Sequence, residues 1–222
     1  MKEKELENEL ASIRNIMERS SKFISLSGFS GILAGVYALL GAGVAYKVIN
    51  DDPEYALLRY LPEALTQRHR FGPVEFGLSD YSNLIIKLIL IAVLVLVASI
   101  STAIVLSMRQ AKLKEVPLWG SISQSLLFHM AVPLVAGGAL ISIFIFHHHY
   151  GFISAVSLIF YGIALVSASN FTFADVKYLG LLEILIGLVA ACLPGHGLLF
   201  WAIGFGVLHI IYGARIYLKY DK

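Results

Sequence analysis

The sequence predicts an all-α polytopic membrane protein, with six transmembrane helices behind an amphipathic cytoplasmic helix at the N-terminus. Three observations predict it. Of 222 residues, 58% are hydrophobic and only 14% charged, against about 25% charged in ordinary soluble domains. The mean hydropathy is +0.77. The apolar residues gather in six long uninterrupted runs, and the charges are confined mainly to tails and connections. A larger core does not explain this deficit, because a soluble domain of this length must still cover its surface with polar groups. A surface facing lipid does. The formal charge of +2, segregated into loops, gives membrane topology rather than a patch for nucleic acid.

Residues 1–22 hold five glutamates, unlike a signal peptide, which has a short basic region followed by an apolar one. Leu6, Leu10, Ile13 and Met17 step by four, three and four, which makes a narrow apolar seam on a helix. Such a helix lies on the membrane or on its own protein, or contacts a second copy or a protein partner. The transmembrane domain then occupies 23–222.

Its six runs are about 23–46, 83–107, 121–146, 152–169, 177–194 and 197–218. Each is about 18 residues or longer, enough for a helix to cross about 30 Å of hydrocarbon. The runs are continuous, whereas the strands of membrane barrels alternate. Between the first two lies a long polar loop, 47–82, in which 53–66 has the content of a short interfacial helix. The loop 108–120 is basic, with Arg109, Lys112 and Lys114. The last connection is only Pro194-Gly195-His196-Gly197.

Orientation follows from lysine and arginine. With the N-terminus inside, 12 of the 17 basic residues fall on the inner side, and the long outer loop dilutes its own with six acids. This predicts a bacterial inner (cytoplasmic) membrane protein with both termini cytoplasmic. The single Cys192 excludes an intrachain disulfide and, within an apolar run, is expected to be a buried structural thiol.

Several features inside the runs stand out. Gly31 and Gly35, four apart, let helix backbones approach closely, either within one chain or in a homo-oligomer. Run five carries Gly180, Glu183 and Gly187; run six carries Gly206, His209 and Gly213. Each triplet lies on one helix face. Glu183 is about 12.5 residues before the Gly195–His196 turn and His209 about 13.5 after it, which gives them similar depth in an antiparallel hairpin at about 1.5 Å per residue. A carboxylate within lipid is costly unless paired. A Glu183–His209 hydrogen bond or ion pair is therefore expected, with the glycines closing runs five and six on each other.

In run three, His129 precedes Pro133 by four, so the His129 carbonyl loses its helical partner. With Ser123, Gln124 and Ser125, with Ser99, Ser101 and Thr102 of run two, and with Ser25, Ser27 and Ser30 of run one, it suggests a polar inner vestibule. His129 and His209 could ligate haem only by facing each other across a gap, which the glycines beside His209 argue against. His147, His148, His149 and His196, with His69 of the long loop, form an outer cluster of imidazoles. These can bind zinc, copper or nickel, although a solvated polar cap explains them more simply. Ile159-Phe160-Tyr161-Gly162 and Ile210-Ile211-Tyr212-Gly213, 51 residues apart, make a faint internal repeat. No nucleotide loop, dinucleotide fingerprint, HExxH or nucleophile elbow is present, and no cofactor is expected.

The tail Leu198-Leu-Phe-Trp-Ala-Ile-Gly-Phe-Gly-Val-Leu-His-Ile-Ile-Tyr-Gly213 resembles a stretch of uncharacterised multipass membrane proteins of Bacteroidota. So does Met17-Glu-Arg-Ser-Ser-Lys-Phe-Ile-Ser-Leu-Ser-Gly-Phe-Ser-Gly-Ile-Leu-Ala-Gly35. The resemblance implies a membrane location and no activity. The leading expectation is a non-enzymatic structural, sensory or accessory protein. The alternatives are a small transporter or channel with a polar inner cavity, and a metal-binding membrane protein using the outer histidines.

Overall fold

The computed structural model describes residues 27–52, 78–115, 119–147 and 149–221. The helix expected over 1–22, the short helix expected in 53–66, Ser25, His69 and His148 lie outside the described residues. All regular structure described is helical. We label the helices α1 (Gly28–Asn50), α2 (Leu78–Leu113), α3 (Ser121–Phe146), α4 (Ile153–Ala168) and α5 (Asp175–Cys192). α6 is a composite rod. It is α-helical over Gly197–Trp201, π-helical over Ala202–Leu208, α-helical over His209–Ile216, and π-helical again over Tyr217–Asp221.

Five of these helices are long and apolar enough to cross a membrane; α5 is the exception. Its 18 residues contain Asp175, Lys177 and Glu183. The helices also outrun the apolar stretches. Lys47 to Asn50 continue α1, and α2 starts at Leu78, so the loop expected over 47–82 is shorter than its polar composition suggested. Polarity marks where burial ends; backbone hydrogen bonding can carry a helix beyond that point.

α6 occupies the centre, with α1 on one side and the α4–α5 pair on the other; α2 leans on α1, and α3 on α4. The α4–α5 contact is antiparallel and close. A Cβ on Gly162 would lie 2.6 Å from the Gly180 carbonyl, and one on Gly187 would lie 3.0 Å from the Ala155 carbonyl. α1 and α6 meet in the same way, with Gly31 on Gly213 and Gly35 on Gly206. The glycines therefore do not close α5 on α6, as the sequence suggested. Those of α5 seat against α4, and Gly206 and Gly213 seat against α1. Gly31 and Gly35 are covered by α6 of the same chain.

The α5–α6 turn has a local cause. Leu193, held before Pro194, leaves the helical region at φ −123° and ψ 66°, as steric contact with a following proline ring requires. Gly195 then takes φ +98°, a conformation open to glycine. Cys192, expected to be buried, is exposed. It is the last residue of α5, and its apolar neighbours in sequence give no sign of which helix face is covered.

Candidate functional site

Two apolar clusters fill the space between α4, α5 and α6. Toward the Asp175 end, Leu165, Phe173, Val176, Leu179 and Ile216 pack together; toward the Gly195 end, Ala155, Leu158 and Ala190 do. Between the clusters lies a polar group of three side chains, one from each helix: Tyr161, Glu183 and His209. Glu183 is 0% exposed and His209 7%.

His209 is held at both ring nitrogens. Nδ1 lies 3.1 Å from the Gly204 carbonyl oxygen, and Nε2 lies 2.8 Å from the Tyr161 hydroxyl. A carbonyl only accepts, so Nδ1 carries a hydrogen and donates it. Nε2 of a neutral ring then accepts from the Tyr161 hydroxyl. The rings of Tyr161 and Phe205 flank the imidazole at centroid distances of 5.4 and 6.1 Å.

Glu183 and His209 are brought together, with Oε1 3.4 Å from Nδ1. Of the two expected forms, the contact has the separation of an ion pair and not a hydrogen bond, and neither Glu183 oxygen has a hydrogen-bond partner. The π-helical stretch of α6 is the reason. Its i→i+5 register brings the Gly204 carbonyl under residue 209, where it takes the Nδ1 hydrogen. Gly204 also lets α6 approach the carboxyl, since a Cβ there would come within 2.5 Å of Glu183 Oε2.

Tyr161 was visible in the sequence only as part of the faint repeat. Asp175 belongs to no motif in the sequence, yet it pairs with three side chains of α6. It is 3% exposed. Its Oδ1 lies 3.0 Å from Arg215 Nε, and its Oδ2 accepts from Lys219 Nζ at 2.9 Å and from the Tyr220 hydroxyl at 3.0 Å. The Tyr220 ring stacks on Phe173 at 4.2 Å. Counting from the turn would have found this group too. Asp175 is 20.5 residues before the turn's midpoint, and Arg215 and Lys219 are 19.5 and 23.5 after it. An acid in the first turn of α5 and bases at the end of α6 also complement both helix dipoles. Asp175 lies outside the apolar run 177–194. Burial pushes its carboxyl up, but the hydrogen bonds from Lys219 and Tyr220 and the charges of Lys219 and Arg215 outweigh this and hold it below the ordinary value.

The other candidates are dispersed. His129 is exposed. Its Nδ1 lies 2.7 Å from the carbonyl of Ser125, one turn back on its own helix, and its ring packs on Phe171 at 4.6 Å. Pro133 sits inside α3 without ending it. α3 and α2 flank opposite sides of the bundle, so His129 does not share a vestibule with Ser99, Ser101 and Thr102. Ser99 bonds the Val95 carbonyl of its own helix, and Ser30 bonds that of Ser27. Thr102 ties α2 to Tyr37 of α1 at 3.3 Å. His147 and His149 are exposed and stack at 6.5 Å; His196 is exposed in the α5–α6 turn. Among the described residues, no three of His, Cys, Asp or Glu gather where a metal ion could be held.

Compared with protein-family models, curated proteins and solved structures, the chain finds no match.

Proposed function

We propose that the chain is a six-span integral membrane protein of a bacterial inner membrane, with both termini cytoplasmic, and that its role is structural, sensory or accessory rather than enzymatic. Length and composition of five helices support membrane residence. The sixth span, α5, is supported by its close antiparallel contact with α4 and by the distribution of its charges. Asp175 and Lys177 fall at one end, and Glu183 alone falls within. The observation that carries the functional reading is the closure of the central cluster. His209 is satisfied at both nitrogens by α4 and by its own helix, so the Tyr161–His209 bond ties α4 to α6. The surface hollows on α1 and α2 do not reach it.

A second reading, a small transporter or channel, is favoured by Glu183. A buried carboxyl without hydrogen bonds costs stability, and intramembrane acids are commonly functional. Thiol labelling separates the two readings. In a Cys192→Ala background, Leu158→Cys and Phe205→Cys place thiols beside the cluster. The structural reading expects both to resist membrane-impermeant reagents from either side. Labelling of both at the rate of an exposed loop cysteine would sink it and favour a water-filled path.

A further inference from the structure

Arg109 lies four residues before the end of α2, about 6 Å along the helix. It is exposed. Among the described residues it forms no ion pair; Asp175 is occupied by Arg215 and Lys219, and Glu183 faces His209. Two adjoining hollows meet at Leu106 and Arg109, of ≈ 280 and ≈ 290 Å³. They differ in character. One runs away from the helix end along the α1–α2 seam, between Leu33 and Val105, as far as Ser101 and Thr102. From Arg109 to Ser101 this covers about 12 Å along the helix axis. The other opens toward the end of α2. Gln110 lies at its edge, and Phe29 and Tyr217, whose rings pack at 6.2 Å, form its wall.

An unpaired guanidinium at the mouth of an elongated, mainly apolar groove suits an amphiphile with an anionic head. A guanidinium binds phosphate oxygens in a fork, with more than one N–H. The Gln110 amide adds a donor beside it, and the Phe29–Tyr217 pair presents an aromatic surface at the level of a headgroup. The groove beyond Arg109 is an open slot along the α1–α2 seam rather than a closed pocket. A free anion would leave that slot uncovered, whereas a lipid acyl chain would fill it. α2 is otherwise supported by the bundle mainly through α1, so a ligand in this seam would brace it.

We propose that the groove between α1, α2 and the end of α6 binds one anionic phospholipid, with its phosphate on Arg109 and an acyl chain between Leu33 and Val105. This rests on the chain residing in a bilayer, and the two ideas fail in different ways. Recovery of the protein in the aqueous fraction without detergent would end the membrane reading. Lipid binding indifferent to Arg109 would end this one alone.

The test uses the full chain purified in a neutral detergent. Native mass spectrometry counts retained lipid, and thermal unfolding is followed with added phosphatidylglycerol, phosphatidylcholine or inorganic phosphate. The expected result is one tightly retained phosphatidylglycerol and an upward shift of the melting temperature with that lipid. Phosphatidylcholine and inorganic phosphate should give neither. Arg109→Gln should weaken retention about fivefold, the loss of one interfacial cation, while Lys177→Gln should leave it unchanged. Val105→Phe, which blocks the slot and keeps the arginine, should also reduce retention, and it serves if Arg109→Gln does not fold. Equal retention of the neutral lipid, equal stabilisation by free phosphate, or retention unchanged in both groove variants would overturn the proposal.

Discussion

At the scale of single residues, the two buried acids, Glu183 and Asp175, make opposite predictions. Tyr161→Phe deprives His209 Nε2 of its partner in a buried site, at a cost of about 1–2 kcal/mol. Glu183→Met replaces a carboxyl that has no hydrogen bond with an apolar chain of similar volume. We expect stability unchanged or raised by about 1–2 kcal/mol. Thermal unfolding of the two variants in one detergent checks this, and a Glu183→Met loss as large as that of Tyr161→Phe would contradict the geometry. Asp175→Asn should destabilise by about 1–2 kcal/mol at neutral pH, a figure kept low because Arg215 and Lys219 are more than half exposed and solvent screens them. The Asp175 carboxyl is depressed in the fold, so its contribution is fully present above the unfolded value of about 3.9. It is lost as pH falls through the lower folded value. Melting temperatures of wild type and Asp175→Asn should therefore stay apart from pH 7 to about pH 5 and converge in stronger acid. A gap independent of pH would mean that the aspartate acts by packing alone. Sequence counting brought Glu183 and His209 to one depth, but it did not supply the Gly204 carbonyl that takes the imidazole hydrogen. That bond depends on a π-helical register which apolar composition does not encode.

At the scale of elements, adjacent glycines should behave oppositely. A Cβ on Gly137 would meet the Phe160 side chain at 2.5 Å, whereas one on Gly138 meets nothing within 4 Å. Gly137→Ala should cost about 1–3 kcal/mol through overpacking, and Gly138→Ala should gain up to about 1 kcal/mol from helix propensity. The same contrast holds in α1. A Cβ on Gly35 would lie 2.6 Å from the Gly206 carbonyl, and one on Gly43 would meet nothing within 4 Å. A comparison of unfolding midpoints for the four alanine variants decides it; matched effects within either pair would show that these helices do not pack as described. Glycine spacing in the sequence announced close approach and left the partner open. It could not choose between α5–α6 and the actual α4–α5 and α1–α6 contacts, because each glycine face is equally bare of side chains until the helices are placed.

At the scale of the whole molecule, the proposed topology puts residues 1–22 and the end of α6 on one side and the Gly195–His196 turn on the other. Single cysteines at Ser12, Lys222 and His196, in a Cys192→Ala background, test it in sealed inverted vesicles. The first two should react with an impermeant thiol reagent, and the third only after the vesicles are opened. Reaction of all three in sealed vesicles would rule the topology out. The sequence by itself determined the helical class, the apolar stretches and the shared depth of Glu183 and His209, because hydrophobicity and residue count are properties of the chain taken linearly. It also contained, uncounted, the match of Asp175 with Arg215 and Lys219. Only the tertiary structure decided that α6 is central, that α2 and α3 flank opposite sides, that His129 turns back on its own helix, and that Tyr161 completes the buried group. Those outcomes depend on which helix faces meet. In a bundle whose faces are nearly all apolar, that choice is made by the fit of small residues against neighbours brought close only by folding.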